Sequence, residues 1–291
     1  VTQTCGCAQA LAHPSTSPAN AVSARWGQPI VIDNRPGATG TIANDATAKA
    51  TPDGYTLGQA TMSTYVMSNH VLPRLPYKPA EDFTNIAKLC TSPYLLGVTQ
   101  SLPVNSVSEL VARAKARPTE LNYGSSGNGS ALHVATELFR SSAGIKITHV
   151  PYKSVPASEM DLIGGQIQMM IGNFATMATH VQSGKIRALA ITSPKRSPLL
   201  PNVPTMAEAG IPAAELTTWI GVMAPAKLPP AIAKKIHEEF TAAVKDPKVI
   251  KQLADIGCDV DPTTMENFDR LVQSENARWG AVVRQNNITA D

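Results

Sequence analysis

The sequence lacks the features of a nucleic-acid-binding or membrane-spanning protein. Aromatic residues make up only 5% of the 291 residues and are scattered, which argues against a surface that stacks bases. Lysine and arginine form no run and the net charge is only +3, so no basic patch for nucleic acid is indicated. No apolar stretch approaches the ~20 residues that a membrane-spanning helix needs. The composition that remains, 43% hydrophobic and 16% charged, is typical of a globular protein with a sizeable core.

The sequence also lacks the spacings of metal and cofactor sites. Its four cysteines form no C-x-x-C pair and no zinc spacing, and Cys90 and Cys258 stand alone in the sequence, so cysteine usage predicts nothing. The six histidines form neither H-x-x-x-H nor H-E-x-x-H. His133 and His149 flank one predicted βαβ unit and can lie near each other, although structural roles are the simpler interpretation. We therefore expect no metal and no cofactor.

The N-terminal region shows no targeting signal and no clear structure. The chain begins at Val1 without a charged segment followed by an apolar one, so no secretory signal is visible and we expect it to have been removed. Residues 1–24 are rich in Ala, Ser, Thr and Pro without a period, which predicts an irregular segment with no first strand.

From residue 29 onward, predicted strands alternate with predicted helices, which indicates parallel α/β sheets up to residue 261. Ser106 and Glu109 form a capping box before one of the helices, and Thr41 can cap the helix at 40–50. Strands are predicted at 29–33, 55–60, 84–89, 95–99, around 121–124, 147–150, 167–171, 186–192 and 216–223. Helices are predicted at 40–50, 110–116, 131–143, 157–163, 175–181, 206–209, 230–245, 247–255 and 263–285.

The most distinctive segment is a glycine loop at residues 124–130, between a predicted strand and a predicted helix. Its three glycines let a ligand approach the peptide groups, while Ser125, Ser126, Asn128 and Ser130 add hydrogen-bonding side chains. Ser130 is a good N-cap for the helix. Because free N–H groups at a helix N-terminus favour an anion, the loop suits a carboxylate or phosphate. A plain strand–helix turn with a good cap explains the same residues equally well.

The loop does not match three more specific sequence motifs. A Walker A loop needs a lysine where Ser130 stands, the dinucleotide order G-x-G-x-x-G is absent, and Asn128 occupies the last glycine position of a G-x-S-x-G elbow. A second polar segment, residues 61–64, is predicted to form a loop after another strand. Ligands of such sheets lie beyond the carboxyl ends of the strands, so we expect contacts from both segments. The second segment is explained equally well as a hydrogen-bonded turn.

Many collinear segments of the chain resemble one family. They include Gly27–Ala38 (GQPIVIDNRPGA), Pro52–Leu57 (PDGYTL), Tyr123–Ser130 (YGSSGNGS) with His133, His149–Lys153 (HVPYK), Ser183–Ala190 (SGKIRALA) and Val203–Thr205 (VPT). These segments resemble the receptor proteins of tripartite tricarboxylate transporters, also called TctC-like or Bug proteins, over residues 25–291. The resemblance implies a monomeric periplasmic solute-binding protein, not an enzyme. It would capture a small carboxylate (a di- or tricarboxylate, an acidic amino acid or an aromatic carboxylate) and deliver it to the membrane subunits of such a transporter.

The resemblance also implies a fold and a site. The fold is α/β, of the two-lobed periplasmic binding protein type (Venus flytrap, type II-like), with a sheet flanked by helices in each lobe. Lobe one would comprise residues 1–101 and 220–291, lobe two residues 102–219, with the ligand cleft between them. The expected ligand-binding residues are Thr61, Ser63 and Thr64 in lobe one, and Ser125, Ser126, Asn128, Gly129, Ser130, His133 and Asn173 in lobe two. Simpler interpretations exist for Asn173, as a helix cap, and for His133, as a support of the loop.

One departure from the family leaves two alternatives open. The family's P-F-x-P-G-G-x-x-D segment is missing from residues 5–20, which would remove the first strand and part of the carboxylate grip. A degenerate relative that no longer binds is therefore one alternative. The other is a hydrolase- or transferase-like enzyme that uses Ser126 with His133 or His149 as nucleophile and base, although no motif supports it.

Overall fold

The computed structural model describes residues 2–5, 18–35, 40–72, 74–286 and 288, and the chain divides into two compact units. Unit 1 comprises Val1–Thr91 and Trp219–Gly280, and unit 2 comprises Ser92–Thr218 and Ala281–Asp291. The divisions predicted from the sequence fall after residues 101 and 219. The two-lobed arrangement with a ligand cleft, inferred from the resemblance, stays a prediction.

Ten strands and ten α-helices are assigned within the described residues, and no helix among them is long and apolar enough to cross a membrane. A π-helical turn, Ser63–Met67, runs directly into α3. In chain order the elements are β1 (Thr2–Cys5), α1 (Pro18–Trp26), β2 (Val31–Asn34), α2 (Thr41–Ala48), β3 (Thr56–Thr61), α3 (Ser68–Val71), β4 (Phe83–Thr99), α4 (Val107–Ala116), β5 (Asn122–Ser125), α5 (Ala131–Ala143), β6 (Thr148–Pro151), α6 (Val155–Ile163), β7 (Met169–Asn173), α7 (Phe174–Gln182), β8 (Ile186–Ile191), β9 (Thr217–Pro225), α8 (Pro230–Val244), α9 (Pro247–Asp255), β10 (Asp259–Val260) and α10 (Met265–Gln285).

The sheet of unit 1 has the strand order β2-β1-β3-β9-β4, with β10 paired to β4. β1 is parallel to both of its neighbours, with Thr2 opposite Val31 on one side and Thr56 on the other. The prediction of no first strand was therefore wrong, because β1 is a strand through its pairing on both sides rather than through a recognisable pattern. α1 likewise replaces the irregular structure predicted up to residue 24. The position of the missing family motif lies largely outside the described residues.

The sheet of unit 2 has the strand order β6-β5-β7-β4-β8. β5 runs parallel to β6 and β7, whereas the second half of β4 is antiparallel to β7 and β8. The sheets predicted as parallel are therefore mixed in both units, since β9 is also antiparallel to β3. The strands predicted at 84–89 and 95–99 are one continuous strand, β4.

Two shorter predictions also need correction. Residues 206–209 form a hydrogen-bonded turn instead of a helix, with the Ala209 N–H donating to the Thr205 carbonyl at 3.0 Å. The predicted cap of α2, Thr41, is the first helical residue, and the N-cap position is occupied by Gly40 at φ +89°. The positive φ favours glycine at this position, and the helix begins without a side-chain cap.

The core of unit 1 lies between its sheet and the helices α1, α8 and α9. Val22, Leu57, Val222, Phe240 and Leu253 are buried in one cluster that joins these elements. The buried residues of α8 recur at helical spacing and form one apolar face toward the sheet. This packing holds β3 and β9 in place, and with them the polar segment that follows β3.

A disulfide bond joins Cys90 of β4 to Cys258, just before β10. Both residues are buried, and the antiparallel pairing sets Val260 directly opposite Cys90. The bond was not predicted from the sequence, because a separation of 168 residues carries no local signal. It closes a long loop and fastens β10 to the strand that continues into unit 2.

We expect reduction of the Cys90–Cys258 disulfide to destabilise the protein by about 2–5 kcal/mol, because an open chain of that length gains much conformational entropy on unfolding. The measurement is urea-induced unfolding with and without a reducing agent. The double variant Cys90→Ala/Cys258→Ala is the matched control and should unfold early under both conditions. Equal stability of the reduced and oxidised wild type would contradict this role.

Candidate functional site

The glycine loop connects the end of β5 to the start of α5. Gly127 (φ +110°) and Gly129 (φ +74°) adopt backbone conformations that residues with a side chain rarely take. Gly124 has a different role, since a Cβ there would lie 2.5 Å from Ile167 Cδ1 and 3.1 Å from Ser158 Cβ. It lets β5 pack tightly against α6 and the segment before β7. Gly127 and Gly129 therefore shape the loop, whereas Gly124 allows close packing of the strand before it.

Internal hydrogen bonds use three of the backbone N–H groups in the loop. The Gly127 N–H donates to Ser125 Oγ at 3.1 Å, and the Ser130 N–H donates to the Gly127 carbonyl at 3.2 Å. The Gly129 N–H donates to His133 Nδ1 at 3.0 Å, which requires this ring nitrogen to be unprotonated. The predicted cap is confirmed, because Ser130 Oγ accepts from the His133 N–H at 3.3 Å.

Four neighbouring N–H groups have no such acceptor. Within the described part of the chain, the backbone N–H groups of Ser126, Asn128, Ala131 and Leu132 donate to no other group. Two belong to the loop and two to the first turn of α5, where the aligned peptide dipoles add partial positive charge. The loop therefore offers a set of donors for an anion while its remaining N–H groups hold its shape.

Three stacked aromatic rings adjoin the loop. The His133 and His149 rings are 4.0 Å apart and nearly parallel, and Tyr123 stacks on His149 at 4.8 Å. The Tyr123 hydroxyl donates to Glu137 at 2.7 Å. Burial, followed by the nearby Glu137 carboxylate, raises the pKa of Tyr123, so its hydroxyl remains a neutral donor. The expected proximity of the two histidines is confirmed, and the rings link the loop to α5 and β6.

The serine that contacts a histidine is Ser125, not Ser126. Ser125 Oγ lies 2.6 Å from His149 Nε2, and the residue is fully buried. Within the described residues no hydrogen bond joins Ser126 to His133 or His149. The nucleophile–base pair of the enzyme alternative is therefore not formed. Ser125 Oγ instead hydrogen-bonds to the backbone of Gly127.

In unit 1 the polar segment after β3 is helical rather than a loop. Thr61 Oγ1 lies 3.1 Å from Thr64 Oγ1 and accepts from the Thr64 N–H at 3.3 Å, so Thr61 is hydrogen-bonded to the π-helical turn that begins at Ser63. Thr64 is buried, and its carbonyl accepts from the Tyr77 hydroxyl at 2.8 Å. Burial raises the pKa of Tyr77 to about 12, which keeps this hydroxyl protonated. The predicted loop was wrong, and the interpretation as a hydrogen-bonded segment describes these threonines.

Asn173 ends β7 and stands at the N-cap position of α7, but its side chain makes no capping hydrogen bond. Because β5 and β7 are parallel, with Tyr123 opposite Met169, Asn173 lies at the same edge of the sheet as the glycine loop. No set of His, Cys, Asp or Glu side chains in the described residues is arranged to hold a metal ion.

A buried carboxylate supports the start of α7. The Thr176 hydroxyl donates to Glu159 Oε1, and His180 Nε2 lies 3.6 Å from Glu159 Oε2. Glu159 is only 4% exposed, and this burial raises the pKa of its carboxyl group despite the hydrogen bond from Thr176. The cluster ties α6 to the first turn of α7, which directly follows Asn173.

Comparison with known proteins places this geometry in a known class. The chain is similar to Rpa4515 of R. palustris with adipate, a solved structure that matches with a TM-score of 0.92 and 36% identity over 99% of this chain and 97% of that one. It is also similar to MatC of Rhodopseudomonas palustris with bound malate, with a TM-score of 0.86 and 30% identity over 97% and 98% of the two chains. The fold is that of periplasmic solute-binding proteins.

The family follows from the sequence comparisons. The chain is 36% identical to the protein BugT of Bordetella pertussis over 260 residues, which cover 89% of this chain and 80% of BugT. A family model described as the tripartite tricarboxylate transporter family receptor matches residues 17–288. The chain therefore belongs to this receptor family, as its sequence motifs predicted. Members of the family are solute-binding receptors and not enzymes.

We expect the melting temperature of Glu159→Gln minus that of wild type to increase as the pH rises above 4.5, the ordinary pKa of a glutamate carboxyl group. Because the folded state raises the pKa of Glu159, the carboxyl group stabilises the protein at low pH, and this contribution is lost as the pH rises through the raised value. Glutamine cannot ionise and avoids that loss. The measurement is a series of thermal melts against pH.

A Glu159→Gln difference that stays constant or falls with increasing pH would contradict the account of the buried carboxyl group.

Proposed function

We propose that this receptor binds a small dicarboxylate and holds one carboxylate group at the glycine loop. The observation that carries the proposal is the set of four unengaged N–H groups, those of Ser126, Asn128, Ala131 and Leu132, around the N-terminus of α5. Such a site binds an anion without a cationic side chain. The side chains of Ser126 and Asn128 are partly exposed and can add hydrogen bonds.

The relatives support the choice of a dicarboxylate. One similar structure contains adipate and another contains malate, which share two carboxylate groups on a short chain. We include Thr61, Ser63, Thr64 and Asn173 among the residues that contact the ligand. Within the described part of the chain the side-chain amide of Asn173 makes no hydrogen bond, which favours its inclusion, whereas the internal bonds of Ser125, Gly129 and His133 favour a role in positioning the loop.

We place the protein in the periplasm, as a non-catalytic receptor that delivers its ligand to the membrane subunits of a tripartite tricarboxylate transporter. Family membership supports this assignment. The buried Cys90–Cys258 disulfide supports it independently, because structural disulfides are typical of oxidising compartments such as the periplasm. That the receptor acts as a monomer stays a prediction.

The proposal is tested by calorimetric titration with adipate, malate, citrate, glutamate and benzoate. We expect wild type to bind at least one dicarboxylate, and Gly127→Ala to bind it more than about tenfold less tightly, because a side chain at φ +110° distorts the loop. The matched control is Gly144→Ala, which also places a side chain at a positive φ, +60°, beyond the other end of α5, where a Cβ meets no atom within 4 Å.

Gly144→Ala should lose about 1–2 kcal/mol of stability and keep the affinity of wild type. If Gly127→Ala binds as tightly as wild type, the loop is not the carboxylate site. If wild type binds none of the five acids, the proposed ligand class is wrong.

A further inference from the structure

His133 holds the glycine loop through a ring nitrogen that can also take up a proton. Its Nδ1 accepts from the Gly129 N–H at 3.0 Å, and its own backbone N–H donates to Ser130 Oγ at 3.3 Å. A neutral imidazole has one nitrogen with a free lone pair, so a proton and the Gly129 N–H compete for the same position on this ring. Histidine, with an ordinary pKa of about 6.5, is the side chain in which such competition falls near neutral pH.

The ring of His133 is held in place by its surroundings. The residue is only 7% exposed, and its ring lies 4.0 Å from that of His149 with an angle of 8° between the two planes. A buried and stacked ring cannot turn freely to present another edge to the loop. A proton on Nδ1 would set two N–H groups against each other, so the Gly129 peptide has to move away from the ring.

His149 makes a different kind of contact with the loop. Its Nε2 lies 2.6 Å from Ser125 Oγ, and the single hydroxyl proton of this serine has the Gly127 carbonyl as an acceptor at 3.1 Å. When the serine donates to that carbonyl, His149 Nε2 is the donor of the shorter bond, which then survives protonation of the His149 ring. The contact of the loop that a proton breaks is therefore the one made by His133.

The charged groups of α5 near His133 are paired. Glu137, one helical turn further along, accepts from the Tyr123 hydroxyl at 2.7 Å and forms an ion pair with Arg140 at 2.6 Å. Because Arg140 offsets the charge of this carboxylate, the pair attracts a proton to His133 only weakly. The Tyr123 ring, centred 6.4 Å from that of His133, stays neutral because burial raises the pKa of its hydroxyl.

Other elements bring few titratable groups to this helix. α5 packs against β5, β7 and the short 3₁₀ turn Pro212–Ala214. The sequence of β7 (MMIGN) contains no titratable side chain, and Glu215 is the titratable residue that directly follows the turn. His149 of β6 is in direct ring contact with His133, so a charge on His149 opposes a second charge on His133.

We propose that carboxylate binding at the glycine loop is coupled to the loss of a proton from His133, because the loop keeps its binding shape only while Nδ1 accepts from Gly129. This inference rests on the proposed function and adds a proton dependence to it. The donors proposed for the ligand lie on both sides of Gly129, with the Asn128 N–H before it and those of Ala131 and Leu132 after it. A shift of Gly129 separates the two parts of this set, so a low pH weakens binding.

The first test follows the Gly129 amide of the ¹⁵N-labelled, ligand-free protein from about pH 8 to about pH 5. Its amide proton signal should move upfield as the bond to Nδ1 is lost, with the same midpoint as the ring signals of His133. A Gly129 signal that stays in place while His133 titrates would overturn the inference. So would a His133 ring that takes up no proton in this range.

The second test is the pH dependence of affinity for adipate, or for malate if that is the acid that binds wild type. His133→Asn keeps an acceptor, the amide oxygen, near the position of Nδ1 but cannot titrate, so its profile reports the titration of the ligand itself. Relative to this variant, the dissociation constant of wild type should rise at least about threefold from about pH 7.5 to about pH 5. His133→Leu removes the acceptor and should bind more weakly than His133→Asn at the higher pH.

Linkage requires the reverse effect in wild type, where the ligand must expel a proton. Near the midpoint, calorimetry in buffers with different heats of ionisation should therefore show proton release on binding, which His133→Asn should lack. Release that is equal in the two proteins would contradict the coupling to His133.

His237→Asn is the matched control, the same substitution at a histidine of unit 1. Its Nδ1 lies 2.8 Å from the Ile86 carbonyl, which only accepts, so this ring keeps its bond when it takes up a proton. The variant should show the pH profile of wild type. Thermal melts at each pH check that every variant is folded, and the Gly129 signal and proton release of wild type decide the matter if His133→Asn is not.

The outcomes separate this inference from the proposed function. If wild type binds the acid with a pH profile no steeper than that of His133→Asn, or binds it more tightly as the pH falls, the inference is wrong and the receptor function stands. If wild type binds no acid of the calorimetric series, the proposed function fails, and the coupling to His133 fails with it.

Discussion

The hydrogen bond from the Gly129 N–H to His133 Nδ1 is the interaction on which the account of the site depends. It directs the Gly129 N–H to the His133 ring, while the N–H groups of Ser126 and Asn128 have no acceptor among the described residues. The ring that accepts the bond is itself held by stacking on His149, which in turn stacks on Tyr123. The shape of the loop therefore depends on side chains of α5, β5 and β6 that need not touch a ligand.

This arrangement explains how a neutral loop is suited to an anion. No lysine or arginine side chain of the described residues hydrogen-bonds to the loop at 124–130, so the attraction comes from oriented peptide dipoles and unengaged N–H groups. Such donors are fixed before the ligand arrives and require little rearrangement. In the proposed binding mode these donors contact the carboxylate group itself rather than responding to the total charge of the ligand, and two similar structures contain ligands as different as adipate and malate.

Much of the local structure was predictable from the sequence, because its signals are local. The caps at Ser106 and Ser130 were predicted from short motifs, and their hydroxyls accept the expected N–H groups. α9 spans Pro247–Asp255 as predicted, since Asp246 and the proline after it define its start. The two polar segments lie after strands, as the pattern indicated.

What the sequence did not reveal depends on contacts between distant residues. The strand β1 is defined by its pairing with β2 and β3, and the Cys90–Cys258 bond by two segments that meet only in the folded chain. In the site, the residue types were predictable, but which of them hold the loop and which are left to contact a ligand was not. Whether the N–H of Gly129 faces a ligand or a histidine depends on backbone angles and on where the ring of His133 lies.

A crystal structure of the protein grown with the dicarboxylate that it binds most tightly tests the central claim most directly. The account predicts that one carboxylate group lies within hydrogen-bonding distance of the N–H groups of Ser126, Asn128, Ala131 and Leu132, with the Gly129–His133 bond intact. A ligand whose carboxylate groups both lie away from residues 124–132, or a loop that breaks the Gly129–His133 bond to reach the ligand, would contradict it.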